Sequence, residues 1–72
     1  MIRVGIIGAG RIGKVHTESI ATKVNNAKVA AIADPFINDD TVRWAKSFGI
    51  EKCVRNYKDI LKDKNIDAVL IC

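Results

Sequence analysis

The chain has 72 residues and a net charge of +4, enough for one small domain whose core is limited for its surface. Its basic residues are scattered, with no basic run and no basic–aromatic interleaving, which argues against a nucleic-acid partner. No apolar stretch is long enough to span a bilayer, and the opening Met1-Ile2-Arg3-Val4-Gly5 runs straight into a strand pattern instead of a signal peptide. Cys53 and Cys72 show neither metal-ligand spacing nor a C-x-x-C. The expectation is a cytoplasmic protein with two buried thiols, no metal site and no membrane partner.

Ile2 to Ile7 is apolar apart from Arg3 and Gly5, as in a parallel-sheet strand buried on both faces. It leads into Gly8-Ala9-Gly10-Arg11-Ile12-Gly13, a G-x-G-x-x-G between a strand and a helical pattern. In that context the motif is a dinucleotide-binding fingerprint. Gly8 turns the chain tightly out of the strand. Gly10 lets backbone approach a pyrophosphate, and Gly13 lets the helix lie close to the strand. Ala9, Arg11 and Ile12 complete the cofactor loop. The helix opening near Arg11 points free N–H groups and its positive end at the phosphates. Arg11 itself has two open readings: a side chain reaching over the phosphates or the adenine, or an exposed helix-start residue.

The helical period runs from Arg11 to about Lys23. Ile12, Val15, His16, Ser19 and Ile20 form one stripe expected to face the sheet, with Lys14, Glu18 and Thr22 facing away. His16, the one histidine, is read as a core or half-buried residue on that stripe, not as a catalyst. Asn25-Asn26 ends the helix, and a second strand is expected from about Lys28 to Ala33. Asp34 follows, some 20 residues beyond Gly13, where a carboxylate accepts both hydroxyls of an adenosine ribose. A 2′-phosphate would meet like charge there. No arginine follows at once, and Arg43 lies farther on, so NAD is expected over NADP.

Asn38, Asp39 and Asp40 offer N-caps for a helix from about Thr41 to Phe48, and Gly49 sits where a closing glycine belongs. Ala45 and Phe48, with Thr41 or Val42, form its buried face, and Trp44 pairs with Phe48 at i, i+4. Trp44, Phe48, Phe36 and Tyr57 are read as packing residues, with a place beside the adenine as the other reading of Phe36. Lys52 to Val54 suits a short third strand. Asn56 caps a helix from Tyr57 to about Asp63, with Asp59 in a capping-box position. Asp67 to Cys72 reads as a buried last strand. The order β-α-β-α-(β)-α-β describes an α/β, parallel-sheet Rossmann-type half with helices on both faces. Domains seldom stop at the end of a core strand, so residues 1–72 are expected to be the N-terminal part of a dinucleotide-binding domain, truncated before the rest. A second, substrate-binding domain would lie outside this chain. No residue is placed to move a proton or stabilise a hydride acceptor, so no catalytic residue is assigned.

The segment from Ile2 through Gly13, with His16 just beyond, resembles the start of the Gfo/Idh/MocA oxidoreductases. The similarity continues through Ala31-Ile32-Ala33-Asp34-Pro35, Trp44 to Gly49, Tyr57 to Leu61 and Ile66 to Ile71, and is strongest to the inositol 2-dehydrogenase members. The resemblance implies an NAD-binding half whose partner domain binds a sugar or polyol and often mediates oligomerisation, so a homo-oligomer is expected. Family members pass hydride from a ring hydroxyl carbon to NAD, using a lysine in a Glu-Lys-Pro motif and an Asp/His pair. None of these is present here, so only Gly8, Gly10, Gly13 and Asp34 carry over. The alternative, from another class, is a non-catalytic nucleotide-sensing module of a regulator or channel. The chain alone is expected to be inactive, to bind NAD weakly, and to self-associate through its open sheet edge.

Overall fold

In the computed structural model, which describes residues 1–50 and 52–72, strands and helices alternate. They are β1 (Ile2–Ile7), α1 (Arg11–Lys23), β2 (Ala27–Ala33), α2 (Asp39–Ser47), β3 (Lys52–Val54), α3 (Tyr57–Leu61) and β4 (Ala68–Ile71). The strands form one sheet in the order β3-β2-β1-β4, every neighbouring pair parallel. This is the expected α/β Rossmann-type half. Val4 and Ile6 of β1 enter a core with Val29, Ile32, Ala45 and Ile50, against which Ile20 of α1 and Trp44 and Phe48 pack. Ile7 joins Ala31, Ala33 and Ile60 of α3 on the opposite face. Gly5 makes the close approach of α3 possible, because a Cβ there would stand 2.6 Å from Ile60 Cγ2.

An irregularity in β2 reconciles its sequence with both faces. Val4 pairs with Val29, but Gly5 pairs with Ala31, leaving Ala30 as the extra residue of a bulge. One inserted residue reverses the alternation of side chains. Val29 and Ile32 therefore share one core despite their odd spacing.

The buried face of α1 differs from the expected stripe. Gly13 and Thr17 are buried and Ile20 is half-buried, whereas Ile12, Val15 and His16 are exposed and Lys14 is half-buried. The helix is pinned at Gly13, where a Cβ would lie 1.9 Å from the Gly8 carbonyl oxygen, and that contact sets its rotation. Thr17 tolerates burial because its hydroxyl donates to the Gly13 carbonyl at 2.8 Å, so no polar atom is left unpaired.

Asn38 caps α2 by accepting the Thr41 N–H at 2.9 Å, and Gly49, at φ +79°, closes its far end with a bond from its N–H to the Lys46 carbonyl. Trp44 and Phe48 meet edge to face at 5.4 Å, as their spacing suggested. Lys14 Nζ lies 5.5 Å from the Trp44 ring centre, a cation–π contact joining α1 to α2. Phe36 and Tyr57 are exposed, so they are not packing residues here. Asn56 accepts from Lys58 N–H instead of forming a box with Asp59, and α3 ends at Leu61, short of Asp63.

Asp63 has a different task. Lys52 Nζ on β3 donates to its Oδ2 at 2.7 Å, and the Asn65 N–H donates to its Oδ1. The Lys52 hydrogen bond first, and the Asn65 backbone bond second, hold its pKa below the ordinary 3.8. A lowered carboxyl pKa stabilises the fold above the unfolded-state value, and the stabilisation fades as pH falls through the folded-state value. A carboxyl-carbon NMR titration should place the Asp63 midpoint below the ordinary range and return it upward in Lys52→Met. An unchanged midpoint in that variant would remove Lys52 as the cause.

β4 is one of the two edges of the sheet, and Ile71 is 77 % exposed, so the expected burial of this strand is not seen. Strand apolarity does not report whether the faces of the strand are covered, and edge strand β3 is half-buried where β4 is mostly exposed. The two thiols also depart from expectation: Cys53 is half-buried and Cys72 exposed. Partial burial of Cys53 against the core pushes its pKa up, offset by nearby Lys46. Among the described residues no helix is long and apolar enough to cross a membrane.

Candidate functional site

β1 and β2 end side by side, so the turn leaving one faces the turn leaving the other. Gly8, at φ +99°, bends the chain out of β1, and its N–H donates to the Ala33 carbonyl at 2.7 Å. A Cβ on Gly8 would lie 2.8 Å from the Cys72 carbonyl oxygen, so backbone conformation and space both favour glycine. The next amide, Ala9 N–H, donates to Asp34 Oδ2 at 2.9 Å. The loop and the acid picked out separately in the sequence are thus in direct contact.

Gly10 is the N-cap of α1 and supplies no side-chain cap, and the first turn carries no acidic residue. The other two helices are capped by Asn38 and Asn56. The opening amides of α1 are therefore left to an outside acceptor, and the helix dipole favours a negative one. A Cβ on Gly10 would meet nothing within 4 Å, so open space lies where a pyrophosphate would approach. Arg11 and Ile12 are exposed beside it, and Ala9 is buried beneath. The strand-end, helix-start geometry fits a dinucleotide phosphate.

Asp34 is half-buried and anchored on several sides. Its Oδ1 accepts the Phe36 N–H at 2.8 Å. Its own N–H donates to the Val54 carbonyl, and its carbonyl accepts from Ile37 N–H. The sequence reading missed the Ala9 and Phe36 bonds. The Phe36 bond had a signal, since an aspartate commonly accepts from the amide two residues on. The Ala9 bond had none, because it depends on the register of β1 and β2.

His16 stands apart from this arrangement, exposed on the outer surface of α1. A cleft of about 340 Å³, lined by Met1, Ala21, Val24, Ala27 and Phe48 among others, lies toward the amino ends of β1 and β2, away from the glycine loop.

Known proteins are similar to this chain over nearly its whole length. A myo-inositol 2-dehydrogenase of Thermotoga maritima is 38% identical over 72 residues, covering 99% of this chain and 21% of that protein. An uncharacterised oxidoreductase of Bacillus subtilis, YrbE, is 45% identical over 69 residues, covering 94% of this chain and 19% of its own length. The crystal structure of scyllo-inositol dehydrogenase from Lactobacillus casei, with bound NAD(H) and scyllo-inositol, superposes with a TM-score of 0.85 at 36% identity, over 99% of this chain and 21% of that one. The chain thus spans about a fifth of the length of the relatives it matches. The model of the Gfo/Idh/MocA family, an oxidoreductase family with an NAD-binding Rossmann fold, matches residues 2–72. Sequence, fold and loop geometry agree with that match, and the chain belongs to the Gfo/Idh/MocA oxidoreductases.

Proposed function

We propose that residues 1–72 are the N-terminal part of the NAD-binding domain of a polyol or sugar dehydrogenase of the inositol 2-dehydrogenase kind. The observation that carries this reading is the contact between the glycine loop and Asp34 at the carboxyl ends of β1 and β2. In this reading Gly8 shapes the turn and the amides from Gly10 to Gly13, at the start of α1, hold the pyrophosphate, since those of Gly8 and Ala9 donate to Ala33 and Asp34. Ala9, Arg11 and Ile12 shape its surroundings. Asp34 accepts the adenosine ribose hydroxyls, since a carboxylate has about four acceptor positions and, among the described residues, Ala9 and Phe36 use two of them. NAD, once bound, supplies the hydride acceptor for a ring carbinol carbon, and the ring alcohol becomes a ketone. This chain's residues bind and orient the cofactor; the groups that move the proton belong to other parts of the enzyme.

The likeness to inositol dehydrogenases supports a polyol substrate; a second domain that binds it, a homo-oligomeric whole protein and a cytoplasmic setting belong to the same proposal. No observation favours the sensing module of a regulator or channel. The chain alone, lacking a substrate domain, should be inactive. Titrating it with millimolar NAD should shift the amide resonances of Gly8 to Gly13 and of Asp34 and Phe36. Shifts confined to the cleft around Met1, Val24 and Phe48, or none at all, would contradict the assignment.

A further inference from the structure

Asp34 has a second task that ribose recognition does not require. Two successive amides of the turn leaving β1 donate to two successive residues at the end of β2: Gly8 N–H to the Ala33 carbonyl and Ala9 N–H to the Asp34 carboxylate. The first is an ordinary ladder bond. The second departs from the ladder, in which successive amides point to opposite neighbours: the turn at Gly8, φ +99°, directs the Ala9 amide to the same side, where a side chain takes the place of a backbone carbonyl. The carboxylate is itself held, because Oδ1 accepts Phe36 N–H while the residue's backbone is bonded to Val54 and Ile37.

We propose that Asp34 is also the positioning residue of the glycine loop, fixing the Ala9 amide, and with it the path into α1, before any ligand arrives. The inference rests on the dinucleotide reading for its consequence, since the loop it orders is the one assigned to the pyrophosphate. Brace and ribose contact coexist, because the described residues take up only half of the carboxylate's acceptor positions. The chemistry also calls for a carboxylate in particular. An asparagine offers one oxygen for two amides, and its NH₂ group would face the other amide donor to donor. Alanine offers nothing to either.

The brace separates from ribose binding in two measurements on the unchanged chain, Asp34→Ala and Asp34→Asn. The first is amide hydrogen exchange without ligand. Losing a bond to a charged acceptor should speed exchange of the Ala9 amide roughly ten- to a hundredfold in Asp34→Ala, while the Val29 and Ile32 amides keep their protection and report an intact fold. Equal Ala9 rates in all three chains would overturn the proposal. The second is binding of 2′,3′-dideoxyadenosine 5′-diphosphate, which carries the pyrophosphate without the hydroxyls. Removing a negative charge alone strengthens diphosphate binding, so weakening by roughly threefold or more in Asp34→Ala is the mark of a disordered loop. Unchanged or tighter binding would overturn the positioning role. If the unchanged chain binds neither NAD nor this probe, the dinucleotide reading fails by itself, and the exchange rates still decide the brace.

Discussion

Gly13→Ala should unfold or nearly unfold the protein, while Gly10→Ala leaves it folded and impairs cofactor binding. At Gly13 the added Cβ would stand 1.9 Å from the Gly8 carbonyl oxygen and 2.9 Å from its carbon. Both are backbone atoms of the turn out of β1, so relief requires moving the whole helix off the sheet. Overpacking that side chains can absorb costs about 1–3 kcal/mol, and here no flexible side chain is available to give way. A loss above about 3 kcal/mol is a large part of the roughly 4–11 kcal/mol that a domain of this size has in total. The Tm should fall by more than about 12 °C. At Gly10 the same methyl group meets open space, so the stability cost should stay below about 1 kcal/mol, yet the methyl occupies the approach to the pyrophosphate. Thermal melts followed by circular dichroism, with NAD titrations of the folded variant, check both halves. Equal melts for the two variants would mean that the helix is not pinned at Gly13.

Ile32→Ala should be the costliest truncation of an ordinary core side chain. Ile32 is fully buried, pairs in register with Ile6 at the centre of the sheet, and lies two residues before Asp34. Deleting its outer carbons removes apolar burial and leaves a cavity between close-packed strands and helices. Such changes cost about 2–5 kcal/mol, or roughly 8–40 °C in Tm at this size. Ile12→Ala is the informative control. Ile12 is 62 % exposed, so its truncation should change stability by less than about 0.5 kcal/mol. A reversal of the two effects in denaturant melts would return α1 to the orientation its apolar stripe suggested.

That stripe shows where the sequence stops being informative. The alternation of elements was legible because the β2 run, the Asn38 cap and the Gly49 stop are local signals. The glycine loop and Asp34 were each legible as well, because turn, dipole and acid each impose a residue type, but the Ala9 bond that joins them was not. The rotation of α1 was not legible. It is decided by a single Cβ-free contact at Gly13 and by the back-bonded hydroxyl of Thr17, neither of which adds to apolar periodicity. The exposure of β4 and Cys72 depends on what covers the faces of that strand, which its own residues do not encode: β3 is an edge as well, yet it is half-buried. The Ala30 bulge was equally silent, although without it Val29 and Ile32 would point to opposite faces.

The central claim is that Asp34 reads an unphosphorylated adenosine ribose beside the glycine loop. The most direct test is calorimetric binding of NAD and NADP to the protein and to Asp34→Ser. Looser loop order in the variant weakens both ligands together, so the ratio between them isolates ribose recognition. The expected result is a clear preference for NAD that falls at least tenfold in Asp34→Ser, given about 1.5–3 kcal/mol for each hydroxyl bond to a charged acceptor. Equal affinities for the two dinucleotides, or a preference unchanged by the substitution, would contradict the claim.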